Sequence, residues 1–169
     1  RVNAIYGLDF FTEPQSFSLG ERALKVPGLD GSWKSGKSEG NAIYLIEDEK
    51  TISKKVMRAV TDAGPTEPNS EKPEPIQNLF TLMEIVSTPE VYQHFDGLYN
   101  DCAIRYGDMK KQLAADINAF CAPIRERILD IQGYKELLSR VARIGAEKAR
   151  ESASKTIDEV RHIIGFRPR

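Results

Sequence analysis

Residues 31–46 are Gly-Ser-Trp-Lys-Ser-Gly-Lys-Ser-Glu-Gly-Asn-Ala-Ile-Tyr-Leu-Ile, and they decide which fold surrounds a phosphate-binding loop. The first eight residues match G-x-x-x-x-G-K-[ST], the pattern of the P-loop, whose backbone N–H groups surround nucleotide phosphates. The same octet also contains two lysines three positions apart, Lys34 and Lys37, followed by Ser38. Whether the octet is read as a P-loop or as a K-x-x-K-S loop, Lys37 lies beside a polyphosphate. The flanking sequence therefore has to distinguish the two interpretations.

The sequence on either side of the octet does not favour a P-loop. A P-loop follows a buried strand and opens a helix, so that a helix N-terminus faces the phosphates. Here Pro27 and Gly28 interrupt the approach, and Glu39-Gly40-Asn41 is a poor first helical turn. Ala42–Ile46 instead predicts a short strand, as does Leu24–Val26. Two such strands cannot supply the parallel sheet that a P-loop domain needs.

Length and composition are those of an ordinary globular chain. The 169 residues are 40% hydrophobic and 29% charged, with a formal net charge of −1, which excludes disordered and membrane-spanning classes. Cys102 and Cys121 lack C-x-x-C spacing, so we expect reduced thiols in a cytosolic protein. We expect no structural metal and no iron–sulfur cluster, because two cysteines cannot supply four ligands.

From Asp48 onward, apolar residues recur with the helical period of 3.6 residues. A short helix carries Ile52 and Val56 on one face. Four prolines then mark residues 65–75 as a linker that cannot continue a helix. Beyond the linker the pattern predicts further helices, the last ending at Gly165, so we expect a mainly α fold with a C-terminal helical bundle.

Several ordered blocks carry a resemblance to a known family. They are V-P-G-L-D-G-x-x-K-x-x-K-S-x-G-N-A-I-Y-L at 26–45, K-K-V-x-x-A-V-T-D at 54–62, R-Y-G-D-x-K-K-x-L at 105–113 and A-P-I-R-E-R at 122–127. Together these blocks resemble bacterial tryptophanyl-tRNA synthetases, which belong to class I, over essentially the whole chain. The family's K-M-S-K-S signature is K-S-G-K-S here, with Ser35 in place of methionine and Gly36 in place of the central serine. Loss of the methionine removes an apolar anchor, and the added glycine should make the loop more mobile.

The resemblance implies a fold and an activity. The fold is the end of a Rossmann-type catalytic domain with a KMSKS-like loop at 1–64, the proline-rich linker at 65–75, and a helical anticodon-binding domain at 76–169. The activity is that of a tryptophan–tRNA ligase, which forms tryptophanyl-adenylate from tryptophan and ATP with Mg²⁺ and transfers tryptophan to tRNA(Trp). The family also implies a cytoplasmic homodimer with no membrane association.

Site residues follow from the same resemblance. Lys37 is the catalytic candidate, since its charge would stabilise the departing pyrophosphate, and Lys34 is its electrostatic neighbour. The candidates for ATP binding are Lys34, Ser35, Gly36, Lys37, Ser38 and the backbone near Val26. The candidates for tRNA binding are Arg105, Tyr106, Lys110, Lys111, Arg125 and Arg127. We expect no metal-ligating residues.

The first class I signature, H-I-G-H, does not occur in the chain. The resemblance therefore implies the C-terminal half of a synthetase about twice this length, and we expect this half alone to form no aminoacyl-adenylate. The amino-acid pocket would lie in the other half, so tryptophan is distinguished from tyrosine only by resemblance. Two alternatives stay open: a free-standing helical RNA-binding module and, less favoured, a P-loop NTPase.

Overall fold

The computed structural model describes residues 1–17 and 25–166. Within these ranges the chain forms six α-helices and no β-strand, which confirms the predicted mainly α fold. The helices are α1 (Val2–Tyr6), α2 (Glu49–Met57), α3 (Glu74–Val86), α4 (Pro89–Asn100), α5 (Tyr106–Gly133) and α6 (Lys135–Ile163).

Local sequence explains where several helices begin and end. At the start of α2, the carboxylate of Asp48 accepts hydrogen bonds from the backbone N–H (2.9 Å) and hydroxyl (2.7 Å) of Thr51. These bonds satisfy free donors of the first turn and lower the pKa of Asp48. Helices α3 and α4 both carry proline in their first turn, where a missing N–H costs nothing. The chain leaves α6 through Gly165 at φ 78°, the predicted left-handed C-terminal residue.

The described residues fall into two compact units, Ser18–Leu129 and a second unit formed by Arg1–Phe17 with Asp130–Arg169. The core of the first unit is built from apolar faces of α2, α3, α4 and α5. Its most deeply buried large side chains are Ile52, Val56, Ile76, Leu79, Phe80, Met83, Tyr99, Met109 and Leu113. Phe80 packs edge to face on Tyr92 and Tyr99, with ring centroids 5.7 and 6.0 Å apart. Burial of this apolar surface is the main term that stabilises the unit.

The prediction of two strands is wrong for the residues that the structure describes. Tyr44 to Glu47 form a turn, in which the N–H of Glu47 donates to the carbonyl of Tyr44 at 3.0 Å. Leu24 lies outside the described residues, and Val26 is in irregular backbone. A strand needs a neighbour to satisfy its backbone groups, and the described part of the chain provides none.

The second unit contains α1 and α6. In its N-terminal segment the side chain of Asn3 pairs with the backbone of Phe11, accepting from its N–H (3.0 Å) and donating to its carbonyl (2.7 Å). Helix α6 is amphipathic but buries none of its residues. None of the described helices is long and apolar enough to cross a lipid bilayer.

Candidate functional site

The loop that carries both lysines, residues 31–38, is held at its base by backbone hydrogen bonds. Gly28 N–H donates to the carbonyl of Ser32 (2.9 Å), and Ser35 N–H donates to the carbonyl of Val26 (2.8 Å). Residues 37–40 form a turn with no helix until Glu49, and no described strand leads into the loop. This geometry lacks the strand and the helix N-terminus of a P-loop, so the P-loop alternative is excluded.

Asn41 organises the interior of the loop. Its side chain is only 7% exposed, and its carbonyl oxygen accepts from the N–H of Gly36 at 2.9 Å. Its amide nitrogen lies within hydrogen-bond distance of the Asp30 carboxylate (3.0 Å), the Ser32 hydroxyl (2.9 Å) and the carbonyl of Lys34 (3.3 Å). One side chain therefore joins the beginning, middle and end of the loop.

Asp30 supports the same arrangement from the other side. Its carboxylate accepts from the Ser32 hydroxyl at 2.6 Å and from the Ser32 N–H at 3.1 Å. The bond from the Ser32 hydroxyl, followed by those from Asn41 and from the Ser32 backbone, lowers the pKa of Asp30. The carboxylate is thus committed to holding the loop as an anion.

The two lysines are exposed at the side chain and fixed at the backbone. The carbonyl of Lys34 lies 3.3 Å from the amide nitrogen of Asn41, and the carbonyl of Lys37 accepts from the Tyr44 hydroxyl at 3.2 Å. Both lysine side chains are exposed. The Ser38 hydroxyl, also exposed, donates to the Glu39 carboxylate at 3.4 Å. The backbone of the two lysines is hydrogen-bonded while their ammonium groups extend into solvent. This arrangement can bind a polyphosphate.

The segment after the loop is tied to α2 by Lys55. Its ammonium donates to the carbonyl of Ala42 at 2.8 Å, pairs with the Glu47 carboxylate and lies 5.1 Å from the centre of the Tyr44 ring. Because Tyr44 in turn donates to Lys37, α2 is linked to the catalytic candidate through two side chains.

The six candidates for tRNA binding divide into two groups. Arg105, Lys111 and Arg127 are exposed. Lys111 forms an ion pair with Asp108 at 3.5 Å that leaves its side chain 71% exposed. Such an exposed pair contributes little to stability and can be exchanged for a phosphate contact.

The other three candidates make bonds within the chain. The ammonium of Lys110, whose residue is 8% exposed, donates to the carbonyl of Ala59 (2.7 Å) and to the hydroxyl of Thr61 (3.1 Å). Burial lowers its pKa. The Tyr106 hydroxyl donates to Asp62 at 2.8 Å, and burial, together with this bond, raises its pKa. The Arg125 guanidinium donates to the carbonyl of Glu47.

Four residues that shape the site were not among the sequence candidates: Asp30, Asn41, Lys55 and Asn78. Three lie in blocks that carry the resemblance, but nothing in their spacing indicates what they bond. Asn78 has a signal of its own, because it is a polar residue inside the buried apolar stripe of α3. Its amide donates to the carbonyls of Gly31 (3.1 Å) and Ser32 (3.0 Å).

Side chains that could bind a metal ion are not clustered in the described part of the chain. No group of three or more His, Cys, Asp or Glu side chains there could hold a metal ion. Cys102 is exposed and Cys121 is buried, and both are free thiols. Burial raises the pKa of the Cys121 thiol.

The chain is similar to known proteins over nearly its whole length. Among curated proteins, the chain is 71% identical over 167 residues to a tryptophan–tRNA ligase of Porphyromonas gingivalis, covering 99% of the chain and 51% of the relative. It is 36% identical over 170 residues to the tryptophan–tRNA ligase of Streptococcus pyogenes serotype M1, covering 97% of the chain and 49% of that protein. The chain therefore spans about half the length of the curated relatives it matches.

Two solved structures have the same fold. One is tryptophanyl-tRNA synthetase from Campylobacter jejuni complexed with ADP and tryptophan, with a TM-score of 0.65 and 26% identity over 87% of the chain and 45% of that protein. Another structure of the Campylobacter jejuni enzyme gives a TM-score of 0.68 and 25% identity, over 98% of the chain and 50% of that protein. The family model described as tRNA synthetases class I (W and Y) matches residues 1–122. The chain thus belongs to the class I tRNA synthetases of the tryptophan and tyrosine (W and Y) family.

Proposed function

We propose that this chain is the C-terminal part of a tryptophan–tRNA ligase and that its loop binds the phosphates of ATP. The observation that carries the proposal is the 71% identity to a tryptophan–tRNA ligase over 99% of the chain. That match extends through the loop and the helices alike, which a shared short motif would not do. Choice of tryptophan over tyrosine rests on the same relatives.

The reaction assigned to the complete enzyme begins with tryptophan and ATP. The tryptophan carboxylate oxygen forms a bond to the α-phosphorus, and the bond to the bridging oxygen of pyrophosphate breaks, so pyrophosphate leaves with the electron pair. Negative charge therefore grows on the leaving group, where Lys37 would stabilise it more strongly in the transition state than in the ground state. The 3′ end of tRNA then accepts the tryptophanyl group and releases AMP.

Other loop residues have supporting roles in this proposal. Lys34 adds a second positive charge, Ser38 can donate a hydrogen bond from its hydroxyl, and the backbone near Val26 contacts adenine. Ser35 and Gly36 contribute backbone groups to the phosphates. Gly40 has φ 69°, a conformation that glycine adopts without strain, so it suits a loop that moves as ATP enters and pyrophosphate leaves.

Mg²⁺ enters this proposal as part of the ATP substrate. Asp30 is the carboxylate at the base of the loop, and it is occupied by bonds from Ser32 and Asn41. The described loop therefore has no carboxylate pair suited to Mg²⁺, which prefers oxygen ligands, and we derive no step through a metal held by these residues.

The helical region would contact tRNA. Arg105, Lys111 and Arg127 are the candidates that remain available, because Tyr106, Lys110 and Arg125 bond within the chain. Salt-sensitive contacts of Arg and Lys with phosphate, and stacking of unpaired bases, are the expected forms of recognition. The remaining assignments follow the family: a catalytic segment at 1–64, a linker at 65–75, an anticodon-binding domain at 76–169, and a cytoplasmic homodimer.

Charging of tRNA tests the proposal directly. The full-length protein containing this chain should attach labelled tryptophan to tRNA(Trp) and should not attach tyrosine to the same tRNA. The isolated 169 residues should bind tRNA without charging it. Charging with tyrosine, or tRNA binding with no charging by the full-length protein, would contradict the proposal, and the latter would favour a stand-alone RNA-binding module.

A further inference from the structure

Asn78 is a polar residue on the buried face of α3. It lies on α3 between Ile76 and Leu79, which are 0% and 1% exposed, and is itself 8% exposed. A primary amide in such a place destabilises the fold unless its hydrogen bonds are made. The hydrogen-bond partners of the Asn78 amide therefore indicate its role.

The amide of Asn78 donates to the base of the lysine loop, more than forty residues earlier in the chain. Its nitrogen lies 3.1 Å from the carbonyl oxygen of Gly31 and 3.0 Å from that of Ser32. An amide nitrogen carries two hydrogens, and each carbonyl can take one of them. The side chain thus fixes two consecutive peptide groups just before the two lysines.

A second contact from α3 reaches the same peptide. Gly31 has φ 88°, and a Cβ added there would lie 3.2 Å from the ring of Pro75 in the first turn of α3. Glycine is therefore required both by its backbone conformation and by the approach of the helix. Pro75 limits the space on one side of the loop base while Asn78 binds it.

From Ser32 the connection continues into the loop. The Ser32 hydroxyl accepts from the amide of Asn41 at 2.9 Å, and the carbonyl oxygen of Asn41 accepts from the N–H of Gly36 at 2.9 Å. Only two hydrogen-bonded residues thus separate α3 from the backbone between the two lysines.

We infer that Asn78 is a positioning residue for ATP activation, through which helix α3 sets where Lys34 and Lys37 stand relative to bound ATP. The inference rests on the proposed function of the loop. The bonds of Asn78 to Gly31 and Ser32 tie the base of the loop to α3. Asn78 touches neither substrate nor reacting atoms and acts through Ser32 and Asn41.

The test compares two asparagine variants in the full-length protein. Asn78→Leu keeps the branched shape of the side chain but removes both donors to the loop. Asn118→Leu is the matched control, because Asn118 on α5 donates to the hydroxyl of Ser53 and makes its bonds to α2 rather than to the loop. Leu79→Ala is the control for stability, since it weakens the core of α3 without touching the loop.

The first measurement is tryptophan-dependent ATP–pyrophosphate exchange at varied ATP. Because misplacement of a catalytic group by about 1 Å can cost about a hundredfold, kcat/KM for ATP should fall by about tenfold to a hundredfold in Asn78→Leu. The KM for tryptophan should stay within about twofold in Asn78→Leu, and Asn118→Leu should match the wild type. A fall of equal size in Leu79→Ala, or no fall in Asn78→Leu, would overturn the inference.

The second measurement does not depend on catalysis. Hydrogen exchange followed by mass spectrometry should show faster exchange of residues 33–38 in Asn78→Leu, with α4 and α5 unchanged. Unchanged exchange in the loop would overturn the positioning role. If the wild type shows this protection but catalyses no exchange with tryptophan, the proposed function fails while the structural role of Asn78 stands.

Discussion

At the scale of single residues, the lysine loop depends on short polar side chains rather than on apolar packing. Asp30, Ser32 and Asn41 share hydrogen bonds of 2.6–3.0 Å, and Asn41 holds the backbone of Gly36. Exposed lysines on a fixed backbone can then meet a polyphosphate without unfolding the loop.

Substitution of Gly28 should disrupt this network. A Cβ at Gly28 would lie 2.5 Å from side-chain atoms of Asp30, Ser32 and Asn41 at once, so all three would have to shift. We expect Gly28→Ala to lower the free energy of unfolding by about 1–3 kcal/mol, the usual cost of overpacking. Denaturant unfolding of the chain measures it. Gly97→Ala is the control, because no atom lies within 4 Å of its added Cβ and helical alanine is favoured.

Acid should loosen the loop through Asp30. Its folded-state pKa is lowered, chiefly by the Ser32 hydroxyl, so its stabilising contribution is present above the unfolded value of about 3.9 and is lost as pH falls through the lower, folded value. We expect the amide resonance of Gly36, which binds Asn41, to shift in an NMR titration below about pH 4. An unchanged Gly36 resonance down to complete protonation of Asp30 would refute this, and Asp30→Asn should abolish the transition.

The sequence offered Lys34 and Lys37 as candidates but did not indicate the side chains that hold their loop. Both lysines lie in a linear block that carries the family resemblance, and their proposed role follows from that resemblance. Asn41 and Asp30 are eleven residues apart in irregular backbone, where no period indicates which side chains meet. Lys110 shows the converse, because a basic residue in a polar-looking stretch proved to be a buried donor to Ala59.

At the scale of elements, α5 supports the irregular segments before it. Lys110 on α5 donates to Ala59 just after α2, and the N–H of Val60 donates to the carbonyl of Leu29 at the start of the loop region. Tyr106 at the beginning of α5 binds Asp62. These bonds tie the segment after α2 to α5 and to the beginning of the loop region. Helices were predictable from the 3.6-residue period, whereas strands depend on partners that a local pattern does not reveal.

Adjacent lysines on α5 should respond differently to the same substitution. Lys110→Met removes the donor to the buried carbonyl of Ala59, so we expect a loss of about 1–3 kcal/mol in the free energy of unfolding. Lys111→Met should change it by less than about 0.5 kcal/mol, because that side chain is exposed. Thermal and denaturant unfolding of the two variants measure the difference, and equal effects would contradict the assignment of Lys110 to an internal role.

The exposed lysine of this pair, Lys111, should also contribute to tRNA binding. Under the proposed function, Lys111→Met should weaken tRNA binding and reduce its salt dependence, since one phosphate contact is lost. Filter binding at several salt concentrations measures this, with the double variant Arg105→Ala/Arg127→Ala expected to act in the same direction. An unchanged affinity and salt dependence in all of these variants would show that tRNA binds elsewhere.

At the scale of the whole molecule, the described chain joins a polar loop to a helical core and carries a long amphipathic helix, α6, with no buried residue. The fold class and family were both evident from the sequence, because the helical period and the ordered blocks extend over most of its length. The burial of each helix face was not evident. Val141 and Ile144 have the spacing of a packed face, yet the structure leaves them 60% and 42% exposed.

Tryptophan-dependent ATP–pyrophosphate exchange measures whether Lys37 stabilises the leaving pyrophosphate, the role proposed for it in a tryptophan–tRNA ligase. In the full-length protein, Lys37→Ala should lower kcat by about a hundredfold or more, as removal of a transition-state donor usually does, while Lys54→Ala on the exposed face of α2 should leave it unchanged. Equal exchange rates in Lys37→Ala and the wild type, with both proteins folded, would contradict the account.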